Sequence, residues 1–492
     1  MKFKYNLTFS LIKDYRLYLV LSLVFGIFIR FYGLEIQSLW LDELYTVVNA
    51  SSGATELYTF LLGDVHPPFH YLLMLYWIRL FGNSVFVVRC FSALIGSVSL
   101  IYMYYYSKQF FSKYIATSAT ILMSFTYPGI YYSQEARSYI LLILLSLIST
   151  FLFIKIISTK KEKTQLQDHL LYLISSILLM YTHYFGLLLV IFQLSYWIIV
   201  SIVYKNERSN AFMTACVLFV AYFIWIPIAF DTMITKGGGN FWIPKPDIQF
   251  FTRYWYFITY PLELPQRIVF LSLLIVPLIL NPRGIISKIV NSSKNIQLKS
   301  PITILVYFVV AIPTFTFILS QHTPVLIERN LLIISPFIYI LIAIWVSLVK
   351  QLHGYKQVAY IFFICIFCFT ILAPTYYQPY KEQWREAVDY SVKISDEKTA
   401  IIVLNRMNFF QYYFEKSKIP ENVLLTEKGS NDSNDMYALA VNRGKNKLIV
   451  LGAHGSPYDF LNDSDQKILE NYSTKYELLQ LHGAIVYTYY LK

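Results

Sequence analysis

The chain has 492 residues, is 56% hydrophobic and 14% charged, and carries a formal net charge of +12. Soluble domains hold roughly 25% charged residues, so this composition excludes a soluble globular protein and describes an integral membrane one. The positive balance does not call for nucleic acid, because Lys and Arg accumulate in the cytoplasmic loops of membrane proteins for topological reasons.

The first apolar segment, residues 17–33, lacks a small-x-small cleavage site, holds Arg30 and runs into Phe31-Tyr32. It reads as an uncleaved first span rather than a signal peptide. A spanning helix needs about 20 mostly apolar residues. Further spans are predicted at 86–106, 114–133, 138–157, 169–187, 187–204, 212–230, 267–281, 301–320, 330–349 and 356–377. Cys90, Cys216, Cys365 and Cys368 all fall in apolar segments, and the CxxC spacing of the last two lies in a stretch, Ile361 to Cys368, that reads as lipid-facing helix. No redox or zinc site is predicted there.

One set of connecting loops is basic: Lys2 to Arg16, Lys108/Lys113, Lys155 to Lys163, Lys205/Arg208, Arg283 to Lys299 and Lys350/Lys356. The alternate set is acidic or mixed: Glu35 to Asp64, Glu135/Arg137, Asp231 to Arg267 and Glu328/Arg329. The basic set marks the cytoplasmic side. Residues 34–85 then stay outside, and the short aromatic stretch Pro67 to Trp77 becomes an interfacial helix. About 11 spans give a cytoplasmic N-terminus and an extracytoplasmic C-terminus. The outer segment 231–266, with Gly237-Gly238-Gly239, Trp242, Pro244 and Pro246, reads as a long loop, either a lid over a site or a plain connection.

After Tyr377 the pattern changes. Polar helix-like stretches, Gln383 to Ile394 and Asp463 to Tyr472, alternate with the β-branched runs Thr399 to Leu404, Lys447 to Leu451 and Ala484 to Tyr489. Strands separated by helices predict a small α/β domain. Gly452-Ala453-His454-Gly455 after a strand is a weak phosphate-turn signal and reads better as a strand-end turn. Two domains are expected, a transmembrane one over 1–379 and an extracytoplasmic α/β one over 380–492.

Ionisable groups near a membrane are costly and mark function. Here they gather at the outer helix ends: Asp42-Glu43 after the first span, His66-Pro67-Pro68, Arg89, Ser133 to Tyr139 with Glu135 and Arg137, Thr182-His183-Tyr184, and Glu328-Arg329. Each has a structural alternative. Arg137 can pair with Glu135, His66 can cap its own turn, and Arg329 can snorkel to lipid phosphate. Carboxylates opposite cations on one membrane face suit group transfer from a phosphorylated lipid. A carboxylate deprotonates the acceptor, and arginines hold the phosphate leaving group.

Trp40-Leu41-Asp42-Glu43, His66 to Leu73, Arg89 to Gly96, Tyr132 to Tyr139, Thr182 to Gly186 and Glu328 to Pro336, in this order and spacing, resemble a known family. It is the C-type-fold (GT-C) membrane glycosyltransferases of the dolichyl-phosphate-mannose–protein mannosyltransferase superfamily, which includes the bacterial aminoarabinose transferases. The likeness extends to about residue 350, and Gln383-Trp384-Arg385 is similar to the tail of bacterial members. The resemblance implies a polytopic all-α GT-C fold with interfacial helices after the first span. It also implies a polyprenyl-phosphate-linked sugar donor, an acceptor that is a protein, lipid or glycan, and transfer on the outer face with inversion. Asp42 would be the base and Glu43 its support or, with Asp42, a ligand for a divalent metal; no other cofactor is implied. Arg137 and Arg329 would grip the donor phosphate, while His66, Glu135, Tyr139 and His183 would line the pocket. The usual Arg-Tyr of the late motif is here Arg329-Asn330, a departure at that position. The absence of a large lumenal insertion points by analogy to a bacterial inner membrane.

A transporter or flippase of lipid-linked sugars is the competing reading. It would place polar or broken helices at the bilayer midplane, whereas the predicted mid-span residues are apolar. A catalytically dead relative with a partner-binding tail is a third reading, and an oligosaccharide ligase or polymerase using the same carrier is a fourth.

Overall fold

The computed structural model describes residues 12–159, 165–204, 208–237, 243–259, 264–284, 287, 297–372, 378–420, 423–427, 433–454 and 460–492. The chain divides into two compact units, one of residues 1–32, 54–77 and 89–372, the other of residues 33–53, 78–88 and 373–492.

The first unit is helical. Every apolar stretch anticipated as a span contains a helix, from Tyr15–Phe31 to Tyr355–Leu372. Among the described residues, Val85–Phe110, Tyr139–Ser158, Tyr184–Tyr204, Pro301–Ser320 and Glu328–Ser347 are long and apolar enough to cross a membrane. Large apolar side chains such as Val24, Ile198, Phe219 and Ile224 face outward, as lipid-facing positions of a multi-pass protein do. Tyr139–Ser158 is apolar on all sides and is the most deeply buried of the five, the expected place for such a helix. Polar groups inside the bundle are paired across helices. Gln193 Oε1 accepts from Ser149 and Tyr172, and its Nε2 donates to Thr150.

Three details depart from the sequence pattern. The 114–133 stretch is helical only over Lys113–Phe125 and restarts at Tyr127–Tyr131, because Pro128 has no N–H to give the Ser124 carbonyl four residues earlier and its ring would crowd that carbonyl in a continuous helix. The late span opens with a 3-10 turn, Glu328–Ile334, before its α-helix Ser335–Ser347. The 231–266 segment is not all loop, since helices Ile226–Gly237 and Phe250–Thr259 occupy much of it. Phe250, Tyr254 and Ile258, one helical turn apart, form the buried stripe of the second, a signal masked by the flanking Gly and Pro. Gly238, Gly239 and Trp242 lie outside the described residues, as do Lys160, Lys161, Lys163, Lys205, Lys288, Lys294 and Gly455.

The second unit is a mixed sheet of five strands, β1 (Thr399–Val403), β2 (Leu424–Glu427), β3 (Lys447–Ala453), β4 (Ser473–Leu481) and β5 (Ala484–Leu491), in the order β2-β1-β3-β5-β4. Strands β2, β1 and β3 run parallel, with Ile401 opposite Leu425 and Ile449. Strand β5 runs antiparallel to β3 and β4, and Gly483 takes a φ of 62° in the tight β4–β5 turn, a conformation that favours glycine. Helix Trp384–Ile394 packs on this sheet. An unexpected neighbour from the other end of the chain, the helix Leu41–Ser51, packs against helix Met407–Phe414. Tyr45 meets Phe409 edge-on, and the fully buried Trp384 packs between Phe409 and Phe410.

Candidate active site

In the helical unit, the residues singled out from sequence converge on one cluster. Asp64 opens the loop after helix Ala54–Gly63, and its Oδ2 receives the His66 backbone N–H at 3.3 Å, faces His66 Nδ1 at 3.0 Å and accepts from the Tyr71 hydroxyl at 3.3 Å. On the far side of the ring, His66 Nε2 lies 3.2 Å from an Arg137 guanidinium nitrogen. Arginine can only donate, so Nε2 accepts and Nδ1 carries the proton toward Asp64. The result is a relay, Asp64 to His66 to Arg137, that fixes where the guanidinium points. Burial works to raise the Asp64 carboxyl. The hydrogen bond from His66, the Val65 N–H and the charge of Arg137 outweigh it and hold the group below the ordinary carboxylate value.

Local backbone chemistry brings these groups together. Pro128 ends the preceding helix, and the short 3-10 turn Tyr132–Gln134 then turns the chain so that Arg137 precedes helix Tyr139–Ser158. Gln134 donates to the carbonyls of Ile29 and Tyr32, tying that turn to the end of the first helix. Gly96 lets helix Val85–Phe110 come close to the same turn, because a Cβ there would meet Ser133. The N–H of Phe69 donates to the Tyr181 carbonyl at 2.9 Å, which fastens the His66 loop beside the turn that carries His183.

Around the relay, Tyr139 lies 5.9 Å from the His183 ring, and the Arg329 guanidinium sits 5.7 Å from the Tyr139 ring centroid, a cation–π distance. His183 Nδ1 accepts the Phe185 N–H at 3.1 Å. Burial first, then the charges of Arg137 and Arg329, pushes its pKa down to about 3. The same happens to His70, lowered to about 3 by burial and then by the charge of Arg137. Both rings are neutral near pH 7, so the positive charge of the cluster rests on its arginines. Glu135 is fully buried, and its carbonyl accepts the Arg137 N–H at 2.8 Å. Arg253 bridges Glu328 and Asp247 beside this region.

Asp42 and Glu43 belong to the other unit and occupy the first turn of helix Leu41–Ser51. Asp42 is half-buried and Glu43 fully buried. Glu43 Oε2 pairs with Lys381 Nζ at 2.9 Å, and the lysine is itself buried. The same oxygen accepts the Trp40 N–H at 3.4 Å. Among the described residues, no three His, Cys, Asp or Glu side chains form a metal-holding group. A cation placed on Glu43 would compete with Lys381 for its carboxylate. The pair therefore does not fit a metal centre, and no catalytic step is routed through one.

Asp64, Lys381 and Glu382 are not among the residues that the sequence singles out. Asp64 has a local signal, since Asp64-x-His66 places a carboxylate two residues before the histidine. Lys381 has none, because 338 residues separate it from Glu43.

Residues 65–228 match the family model of dolichyl-phosphate-mannose-protein mannosyltransferase. ArnT from Cupriavidus metallidurans bound to undecaprenyl phosphate is similar in structure, with a TM-score of 0.59 and 11% identity over 95% of this chain and 97% of that one. The archaeal oligosaccharyltransferase AglB from Archaeoglobus fulgidus, in complex with an inhibitory peptide and a dolichol-phosphate, matches with a TM-score of 0.51 and 12% identity. That match covers 96% of this chain and 74% of that one. No curated protein matches the chain by sequence. At these identities the structural likeness establishes the fold.

Proposed function

We propose that this chain, which has the fold of ArnT and whose residues 65–228 match the mannosyltransferase family model, is an integral-membrane glycosyltransferase. It takes a sugar from a polyprenyl-phosphate donor and delivers it to an acceptor on the outer face of the membrane. The observation that carries the reading is the relay Asp64–His66–Arg137, with Arg329 over Tyr139 nearby. An arginine whose direction is set by a histidine–carboxylate pair is prepared for a phosphate. The neutral His70 and His183 leave that positive charge uncontested by a second protonation equilibrium.

In the proposed reaction Asp42 accepts the proton of the acceptor hydroxyl as its oxygen attacks the anomeric carbon. The bond from that carbon to the phosphate oxygen breaks, and the lipid phosphate leaves with the bonding pair. Arg137 and Arg329 offset the charge that grows on the leaving group. Attack from the face opposite the leaving group inverts the anomeric carbon. Glu43, held by Lys381, supports Asp42 from the same helical turn, and His66, Glu135, Tyr139 and His183 line the pocket. We place the protein in a bacterial inner membrane with its N-terminus cytoplasmic and its C-terminal domain outside.

The test uses protein purified into lipid with a panel of radiolabelled polyprenyl-phosphate sugars, following release of the lipid phosphate. Release that needs both an acceptor and Asp42 is the expected result and identifies the sugar. If no donor releases phosphate while lipid-linked sugar crosses proteoliposomes, the reading gives way to a flippase.

A further inference from the structure

The residue that opens the helix carrying Asp42 gives it no side-chain cap, although Glu43 reaches back to the Trp40 N–H. An N-cap side chain should accept a hydrogen bond from one of the first helical N–H groups, and the residue at that position is Trp40, which has no acceptor. The Leu41 N–H is instead taken by Oε2 of Glu382, 2.9 Å away and 341 residues later in the chain. That oxygen also accepts the Trp384 indole N–H at 2.7 Å. The other oxygen of Glu382 meets His454 Nδ1 at 2.6 Å.

His454 is held in turn. It follows β3 with a φ of 92°, in the region L-residues rarely adopt, and its N–H donates to the Gly483 carbonyl at 2.8 Å. The segment just before the helix is tied down as well. Ser38 Oγ donates to the Glu382 carbonyl at 2.7 Å, the Leu39 N–H donates to the Tyr413 hydroxyl at 2.7 Å, and Arg385 donates to the carbonyls of Glu35 and Ile36. Lys381, the residue before Glu382, makes the buried pair with Glu43.

We propose that Glu382, oriented by His454, is a positioning residue for the reaction: it supplies from the C-terminal domain the acceptor for the Leu41 N–H that the Trp40 side chain cannot give, and so sets the direction of the Asp42 carboxylate. This rests on the reading of Asp42 as base. The strained backbone at His454 fits this role, since such conformations persist where the surroundings impose them. The C-terminal domain is then part of the catalytic apparatus through one carboxylate, without touching substrate.

The experiment compares Glu382→Ala, Glu382→Gln, His454→Ala, Asp42→Asn and the native chain, using the polyprenyl-phosphate sugar that the native chain turns over. Amide hydrogen exchange is read in parallel. A misplacement of about 1 Å can lower turnover by roughly 100-fold. Glu382→Ala is expected to lower kcat about 10- to 100-fold with donor KM within about threefold, and to speed exchange at residues 41–46 while β3 and β5 stay protected. Glu382→Gln keeps an oxygen that accepts from Leu41 and should recover most of the turnover. If Glu382→Ala does not fold, His454→Ala decides, with a smaller loss of kcat and faster exchange at 41–46. Unchanged exchange there, a loss carried by KM, or no recovery with Gln overturns the proposal. Native turnover in Asp42→Asn instead removes the reading of Asp42 and the catalytic part of this proposal with it.

Discussion

The two acid–base clusters of this protein are built in opposite ways. In the helical unit, Asp64 and His66 are two residues apart and reach Arg137 through one ring. In the other unit, Glu43 and the Leu41 N–H are held by Lys381 and Glu382, more than 300 residues away in the chain. The first cluster leaves an arginine aimed by its neighbours, as binding of an anion requires. The second sets Asp42 beside Glu43, whose charge a buried lysine offsets. On the proposed reading, binding falls to the first cluster and proton transfer to the second.

The sharpest way to break that assignment is Asp42→Asn. Loss of a general base lowers turnover about 10²- to 10⁴-fold, and donor affinity should be unchanged, as read by phosphate release and by equilibrium binding of the labelled donor. Lys381→Met comes next. It removes the buried lysine that offsets the charge of Glu43 and should destabilise the protein by roughly 3–5 kcal/mol, seen as a drop in thermal midpoint. Adding Glu43→Gln should restore part of that loss. Arg137→Gln should reduce kcat/KM by about 100-fold, mainly through weaker donor binding.

A smaller effect is expected from Asp64→Asn. It keeps the size of the side chain but weakens its hold on His66, lowering kcat/KM about tenfold, in line with roughly 1.5 kcal/mol for a charge-assisted hydrogen bond. The smallest is a pH effect. His70 and His183, held at about 3 in the folded protein, ordinarily titrate near 6.5. Their contribution to stability is complete above the unfolded value and is lost as pH falls from there toward 3. His183→Gln should flatten the fall in thermal midpoint between pH 7 and pH 5.

The same contrast explains what could be read from sequence. Apolar runs located the helices, and β-branched runs located β1, β3 and β5, because burial writes itself into local composition. Strand β4 escaped because Lys475, Glu477 and Gln480 give it a polar, partly exposed character, and β2 because it is only four residues long. The break after Phe125 is signalled by Pro128 but hidden inside a long apolar run. Arg137 stands out in the sequence as a candidate, with Glu135 as its obvious sequence neighbour. Its guanidinium also reaches His66, 71 residues away, and nothing local marks that partner. Lys381 and Glu382 carry no local mark of their role either, since a single chain does not reveal which distant residue will cap a helix that starts at a tryptophan.

The most direct test of the account measures donor binding and single-turnover sugar transfer side by side for Asp42→Asn and Arg137→Gln. The account predicts that Asp42→Asn binds the polyprenyl-phosphate sugar as the native chain does but transfers almost none, while Arg137→Gln loses affinity. Transfer by Asp42→Asn at the native rate, with donor bound, would contradict it.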